Sequence, residues 1–391
     1  MNKSLTLLLV AQFLSAFADN AILFTVIALV MQAQNPASWY VPALQSSFLV
    51  AFVLLAPWVG QLADRFSKTR ILVVANLLKA CGAGLLFLNV EPLIAYAIVG
   101  SGAAIYSPAK YGILPELVKH DELVKANGWI EGSTILAILL GMIIGAKVAD
   151  YSISIALIGT ISLFLFSSIC ASFLNLKNAP SVSIEAKTHS ALRIFFSQIQ
   201  TFLTFERARF VILGGALFWA SAATLRVILV AWSPQILDLH SATEIAQLTL
   251  FLAIGIIVGS ICAARLIPLE KLRRARFAAY LMALLVMTLS FTAVIFVAQT
   301  ILFFIGIAGG MFIVPVNAAL QELGKQTIGS GKAIALQGFF HNVAMLMAVG
   351  SYSLASAWQV SAVTAMFCLG GLLLAASILV ASKLPPVNQT A

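Results

Sequence analysis

Twelve stretches of this chain are apolar almost without a break. Each runs for roughly 20 residues or more, the length that crosses a bilayer as a helix. The first six cover residues 5–31, 42–63, 71–89, 92–113, 126–149 and 153–175, and the second six cover 209–233, 244–266, 277–297, 299–320, 331–356 and 358–381. In hydrocarbon every backbone N–H and C=O needs an internal partner, so only helices and closed barrels span it. Barrel strands alternate apolar and polar residues, and these runs do not. The reading is an all-α polytopic membrane protein with twelve transmembrane helices. A composition that is 61% hydrophobic and 9% charged agrees with it. Cys81, Cys170, Cys262 and Cys368 fall inside the runs without metal-ligand spacing and read as small hydrophobes. Met1 leads into the first run with no small-residue cleavage site, so that run is expected to remain as a span.

The chain also repeats. The stretch from Gly102 to Pro115 returns as Gly309 to Ala319, with Gly102 over Gly309 and Pro108 over Pro315. That offset, 309 minus 102 or 207 residues, also lays Lys125 over Lys332 and Asp19 over Arg226. Two related six-helix halves with ionisable residues inside their helices outline a secondary transporter. The expected organisation is an N-terminal bundle over 1–176, a linker over 177–208 and a C-terminal bundle over 209–391. Within the linker, Leu192 to Phe205 is amphipathic and is expected to lie on the membrane surface.

Charge placement fixes an orientation. The net charge of +9 suggests nucleic acid until the basic residues are placed on the runs. Nineteen of the 23 lysines and arginines fall in the loops or ends on one side, Lys147 falls on the other, and Lys79, Lys110 and Arg226 lie within helices. The positive-inside rule then puts both termini in the cytoplasm and accounts for the charge with no nucleic-acid partner.

After the second run stand Gly60, Asp64, Arg65, Lys68 and Arg70. Gly60 lets helices approach closely, and Asp64 suits a charge-assisted contact at a helix end. Here the sequence resembles the major facilitator superfamily, whose signature after its second helix is G-x-x-x-D-R/K-x-G-R/K-R/K. Ser67 stands at the second glycine, and the counterpart from Gly259 to Arg265 is degenerate.

The intramembrane polar residues are the candidate site. Gln12, Ser15 and Asp19 form one stripe on the first helix, with Asn20 beside it. In a major-facilitator arrangement the first and seventh helices line a central cavity, so Asp19 and Arg226 are expected to pair when it is empty. Tyr106, Lys110 and Tyr111 on the fourth helix and Glu131 on the fifth add a second charged group, in which Lys110 meets Glu131 unless Glu131, about five residues from its cytoplasmic helix end, is solvated at the interface. Gln337 and His341 share a face of the eleventh helix, with Asn342 adjacent. Lys79 is expected to snorkel to the cytoplasmic surface, because the third helix is peripheral in that fold. There is no phosphate-binding loop, metal cluster or nucleophile–base set, which excludes an ATP-driven pump and leaves no implied cofactor. The nearest pattern to a catalytic pair, His120 with Asp121, sits alone in a loop, so an enzyme is not expected.

Several phrases resemble the bacterial lysophospholipid transporter group of that superfamily: Ala11 to Ala21, Tyr106 to Leu114, Leu123 to Gly128, Leu217 to Trp219, Thr224 to Arg226 and Val314 to Ala318. The resemblance implies a flippase of the bacterial inner membrane, and a monomer is expected. It would move lysophosphatidylethanolamine and lysophosphatidylglycerol for re-acylation by a cytoplasmic-side acyltransferase. Arg226 or Lys110 would take the phosphate, arginine being preferred for its bidentate fork. Asp19 or Glu131 would meet an ammonium head group, and Phe13, Phe17, Phe24, Phe218 and Trp219 would lie along the acyl chain. The alternative is a proton-coupled drug or metabolite porter with Asp19 as proton carrier.

Overall fold

The structure, a computed structural model, describes residues 3–32, 40–174, 191–239 and 242–382. The first part of the linker and Lys383 lie outside the described residues. All regular structure among those described is helical. The helices are α1 (Lys3–Gln32), α2 (Tyr40–Arg65), α3 (Lys68–Leu85), α4 (Pro92–Gly112), α5 (Leu114–Leu117), α6 (Leu123–Tyr151) and α7 (Ile153–Ser172). They continue as α8 (Ala191–Thr204), α9 (Glu206–Ile236), α10 (Ala242–Leu266), α11 (Ala275–Leu289), α12 (Ile295–Gln326), α13 (Ser330–Ala357) and α14 (Ala362–Ser382).

Among the described residues, 11 helices are long and apolar enough to cross a membrane. The twelfth expected span is α11, a helix of 15 residues that is shorter than the run 277–297. It stops as a helix at Leu289, and α12 restarts at Ile295. The break is chemical: Ser290 Oγ donates to the Met287 carbonyl and Thr292 Oγ1 to that of Thr288. Such side chains offer the backbone an alternative to the next helical turn. The amphipathic stretch expected over Leu192–Phe205 forms α8, which buries Phe195 and Phe202 while Leu192 and Phe196 stay exposed. Phe195 meets Phe339 edge to face.

The chain divides into two compact units. One comprises Met1–His120, Ser133–Ile199 and Gln321–Phe339, and the other Asp121–Gly132, Gln200–Leu320 and Phe340–Ala391. In the first, α3 and α2 pack on α4, and α1 and α3 pack on α7. In the second, α9 and α11 pack on α14. The 207-residue offset carries α3 onto α11 and α1 onto α9, so the packing of α1 and α3 on α7 is repeated by that of α9 and α11 on α14. The internal repeat in the sequence is therefore a repeat of packing.

Small residues make that packing close. A Cβ on Gly141 would sit 2.5 Å from the Phe17 carbonyl oxygen, and one on Gly145 2.5 Å from the Ala21 Cα, so α6 lies directly on the backbone of α1. In the other unit Gly255 and Gly259 of α10 face Gly306, Ile307 and Gly310 of α12, and added side chains would strike backbone carbonyls. Glycine at four-residue spacing lets membrane helices touch where no hydrophobic effect draws them together.

Candidate functional site

The signature residues form a clasp within the first unit. Both carboxylate oxygens of Asp64 accept from the first turn of α13: Oδ1 from Gly331 N–H at 2.8 Å and Oδ2 from Lys332 N–H at 3.1 Å. A carboxylate at a helix N-terminus satisfies orphan donors and complements the helix dipole. Gly60 brings α2 against α13, since a Cβ there would lie 2.7 Å from the Lys332 Cα. Gly329 completes the turn at φ 100°, a conformation that favours glycine. Lys68 pairs with Glu116, Lys325 donates to the Pro115 carbonyl and Ser330 to that of Gly112. Arg65 and Arg70 remain exposed, Arg65 beside the Phe66 ring. Ser67 sits at φ −55°, which any residue adopts, so the loop turns without the family's second glycine. Asp64→Ala should remove about 1–2 kcal/mol from this contact. The check is maleimide labelling of a Ser330→Cys variant, buried in the parent, which is expected to speed up severalfold when Asp64 is lost.

Deeper in the same unit lies a charged network. Asp19 Oδ2 accepts from Lys79 Nζ at 2.7 Å, and Ser15 Oγ accepts from the same ammonium at 2.9 Å. Ser15 Oγ donates to Asn76 Oδ1 at 2.8 Å, Asn76 Nδ2 to Ser167 Oγ at 2.8 Å, and Ser167 Oγ to the Ala11 carbonyl at 2.6 Å. The Lys79 ammonium also lies 4.7 Å from the Tyr106 ring centroid and 5.5 Å from that of Phe164. Lys79 thus corrects the expectation that it snorkels. Its side chain is 1% exposed, and it stands eleven residues (79 minus 68) past the start of α3, about 17 Å along the axis. A four-carbon stem does not span that depth, and an acid lies within reach. The partner of Asp19 is accordingly Lys79. Removing one member of such a pair costs about 3–5 kcal/mol, because the other is left buried and uncompensated.

The remaining site residues are placed as follows. Gln12 donates to Thr134 Oγ1 at 2.9 Å, and Asn20 turns back onto the Ala16 carbonyl of its own helix. Phe13 and Phe17 have ring centroids 6.2 Å apart. Lys110 is buried with its ammonium 4.0 Å from the Tyr111 ring, and Gln337 is buried in the same unit. In the second unit Glu131 is 3% exposed and accepts from Asn317 Nδ2 at 2.9 Å, which settles it as an interior residue. Asn342 is also buried there. Phe218 packs on Trp219 and Phe312 inside the bundle. His341 lies 6.3 Å from the Trp219 ring, with its buried Nε2 unpartnered among the described residues. That contact has a counterpart: shifting Gln12 and Thr134 by 207 residues gives Trp219 and His341, so a hydrogen bond in one unit is an aromatic contact in the other.

Arg226 differs from the other intramembrane cations. It stands on the accessible stripe of α9 with Val227 and Val230, while Thr224, Leu225, Ile228 and Leu229 face inward. It makes no hydrogen bond or ion pair among the described residues. Sequence reading missed Asn76, Ser167, Asn317 and the pairing of Lys79. A signal was present: Asn76 and Lys79, at i and i+3, are the polar residues on one face of an apolar helix. His120 is exposed, with its Nδ1 2.6 Å from Glu322 Oε1.

A lysophospholipid transporter of Klebsiella pneumoniae (strain 342) is 43% identical over 360 residues, covering 90% of this chain and 89% of its own. One of Photorhabdus laumondii is 41% identical over 373 residues, covering 95% and 94%. Among solved structures, the fucose:proton symporter of E. coli superposes with a TM-score of 0.76 at 13% identity, covering 98% of each chain. The human organic anion transporter MFSD10 gives 0.76 at 15% identity, covering 97% of this chain and 99% of its own. The model of the Major Facilitator Superfamily matches residues 8–349, and with the signature clasp and the repeated helix packing this chain belongs to that superfamily.

Proposed function

We propose that this chain is a lysophospholipid transporter of the bacterial inner membrane, working by alternating access of an N-terminal bundle (1–176) and a C-terminal bundle (209–391). The observation that carries the reading is Arg226, a guanidinium at membrane depth without a protein partner among the described residues. A charge there costs about 2.5–3.5 kcal/mol and is kept for a ligand. A lysophospholipid phosphate suits its fork. Asp19 handles the ammonium of a zwitterionic head group, and Lys110 in the first unit and Glu131 in the second are further charged groups offered to the substrate. Gln12, Asn20, Tyr106, Tyr111, Gln337 and His341 line the polar route, and Phe13, Phe218 and Trp219 take the acyl chain. Both termini are cytoplasmic, as the basic loops require. The protein acts as a monomer and hands its substrate to a cytoplasmic-side acyltransferase.

Uptake of labelled lysophosphatidylethanolamine into vesicles tests this. We expect uptake by the wild type to survive a protonophore and to fall more than tenfold in Asp19→Asn. Uptake that collapses with the protonophore makes Asp19 a proton carrier and the protein a proton-coupled porter. No specific uptake by the wild type rejects the lipid substrate.

A further inference from the structure

The acid and the ammonium in the first unit are not equally placed. The Lys79 side chain is 1% exposed, whereas that of Asp19 is 20% exposed. An approaching group therefore meets the Asp19 side chain before Lys79, although Asp19 Oδ1 is buried and Oδ2 is bonded to the ammonium. The hold on that ammonium is specific. Because Ser15 gives its only hydroxyl proton to Asn76, its lone pairs are left to accept from Lys79. Asn76 is held in turn by Ser167, and Ser167 by the Ala11 carbonyl. The faces of Tyr106 and Phe164 close the remaining sides, as aromatic faces do around a cation. The pocket is thus built around the Lys79 amine, and the pair it completes with Asp19 is electrically neutral.

We propose that Lys79 is a specificity-determining residue, cancelling the charge of Asp19 so that the transporter accepts anionic phosphoglycerol head groups as well as zwitterionic phosphoethanolamine ones. This rests on the lysophospholipid reading above. Without Lys79 the Asp19 carboxylate would keep only the weaker influence of Lys110 as counter-charge, at a depth where solvent screens little, which disfavours an anionic head group and favours an ammonium. Without the charge of Asp19 the imbalance would have the opposite sign.

The test is the ratio of lysophosphatidylglycerol to lysophosphatidylethanolamine uptake, measured in the same vesicles. Lys79→Met is expected to lower the ratio at least tenfold, and Asp19→Asn to raise it at least tenfold. The double variant Asp19→Asn with Lys79→Met, again neutral, is expected to return it to within about threefold of the wild type. Poor folding lowers both uptakes together and does not move the ratio. A ratio unchanged in both single variants, or still displaced in the double variant, overturns the inference. So does loss of both uptakes in all three variants, which would make the pair purely structural. A wild type inert toward both lipids instead overturns the substrate reading beneath it.

Discussion

Arg226→Ala is expected to abolish most specific lysophospholipid uptake, by roughly 10- to 150-fold. That is the equivalent of about 1.5–3 kcal/mol for charge-assisted hydrogen bonds. The expectation follows from what Arg226 does not do. Lys79 is held by an acid, two rings and a hydroxyl, and Lys110 lies against Tyr111, so both have roles in the resting protein. Arg226 has no such bond among the described residues, so its loss leaves no buried partner behind. Folding should therefore be little affected, and the full effect should appear in transport. Arg226→Lys separates charge from shape. It keeps the cation but loses the bidentate fork, and uptake between wild type and alanine is expected. Uptake in Arg226→Ala that equals the wild type at matched protein level would remove the residue from the substrate path.

The second large effect is on stability. Gly259→Leu is expected to destabilise the second unit by about 3 kcal/mol or more, the upper range for overpacking. A side chain at Gly259 meets the carbonyl oxygen and carbon of Ile307, and a helix backbone does not step aside as a flexible side chain does. Gly306 faces Leu252 in the same seam, so the two helices would have to part along several turns. Gly371, around which nothing lies within 4 Å, is the control. Gly371→Leu should leave the melting temperature in detergent close to the parent value, while Gly259→Leu should lower it sharply or give no monodisperse protein. Equal melting temperatures for the two variants would contradict the close approach of α10 and α12.

Individual contacts were legible in the sequence where a local pattern has one physical meaning. Asp64 next to a helix end has few uses other than capping, and it caps α13. Gln12, Ser15 and Asp19 repeat with the period of one helical face, and all three take part in inward hydrogen bonds. It failed where the same pattern has two outcomes. A lysine within an apolar helix looks identical whether it snorkels or turns inward, and the choice rests with an acid 60 residues away. Glu131, five residues from a predicted helix end, reads equally as solvated or buried until Asn317 is seen to donate to it.

The sequence by itself determined the membrane-spanning class, the repeat and the family signature. Each of these follows from run length, periodicity or short-range spacing, which are properties of neighbouring residues. Tertiary structure decided which acid meets which base, where α11 stops, and that His341 packs on Trp219. In those cases the deciding free energy is the desolvation of a polar group, and whether it is compensated depends on partners that chain order does not bring together.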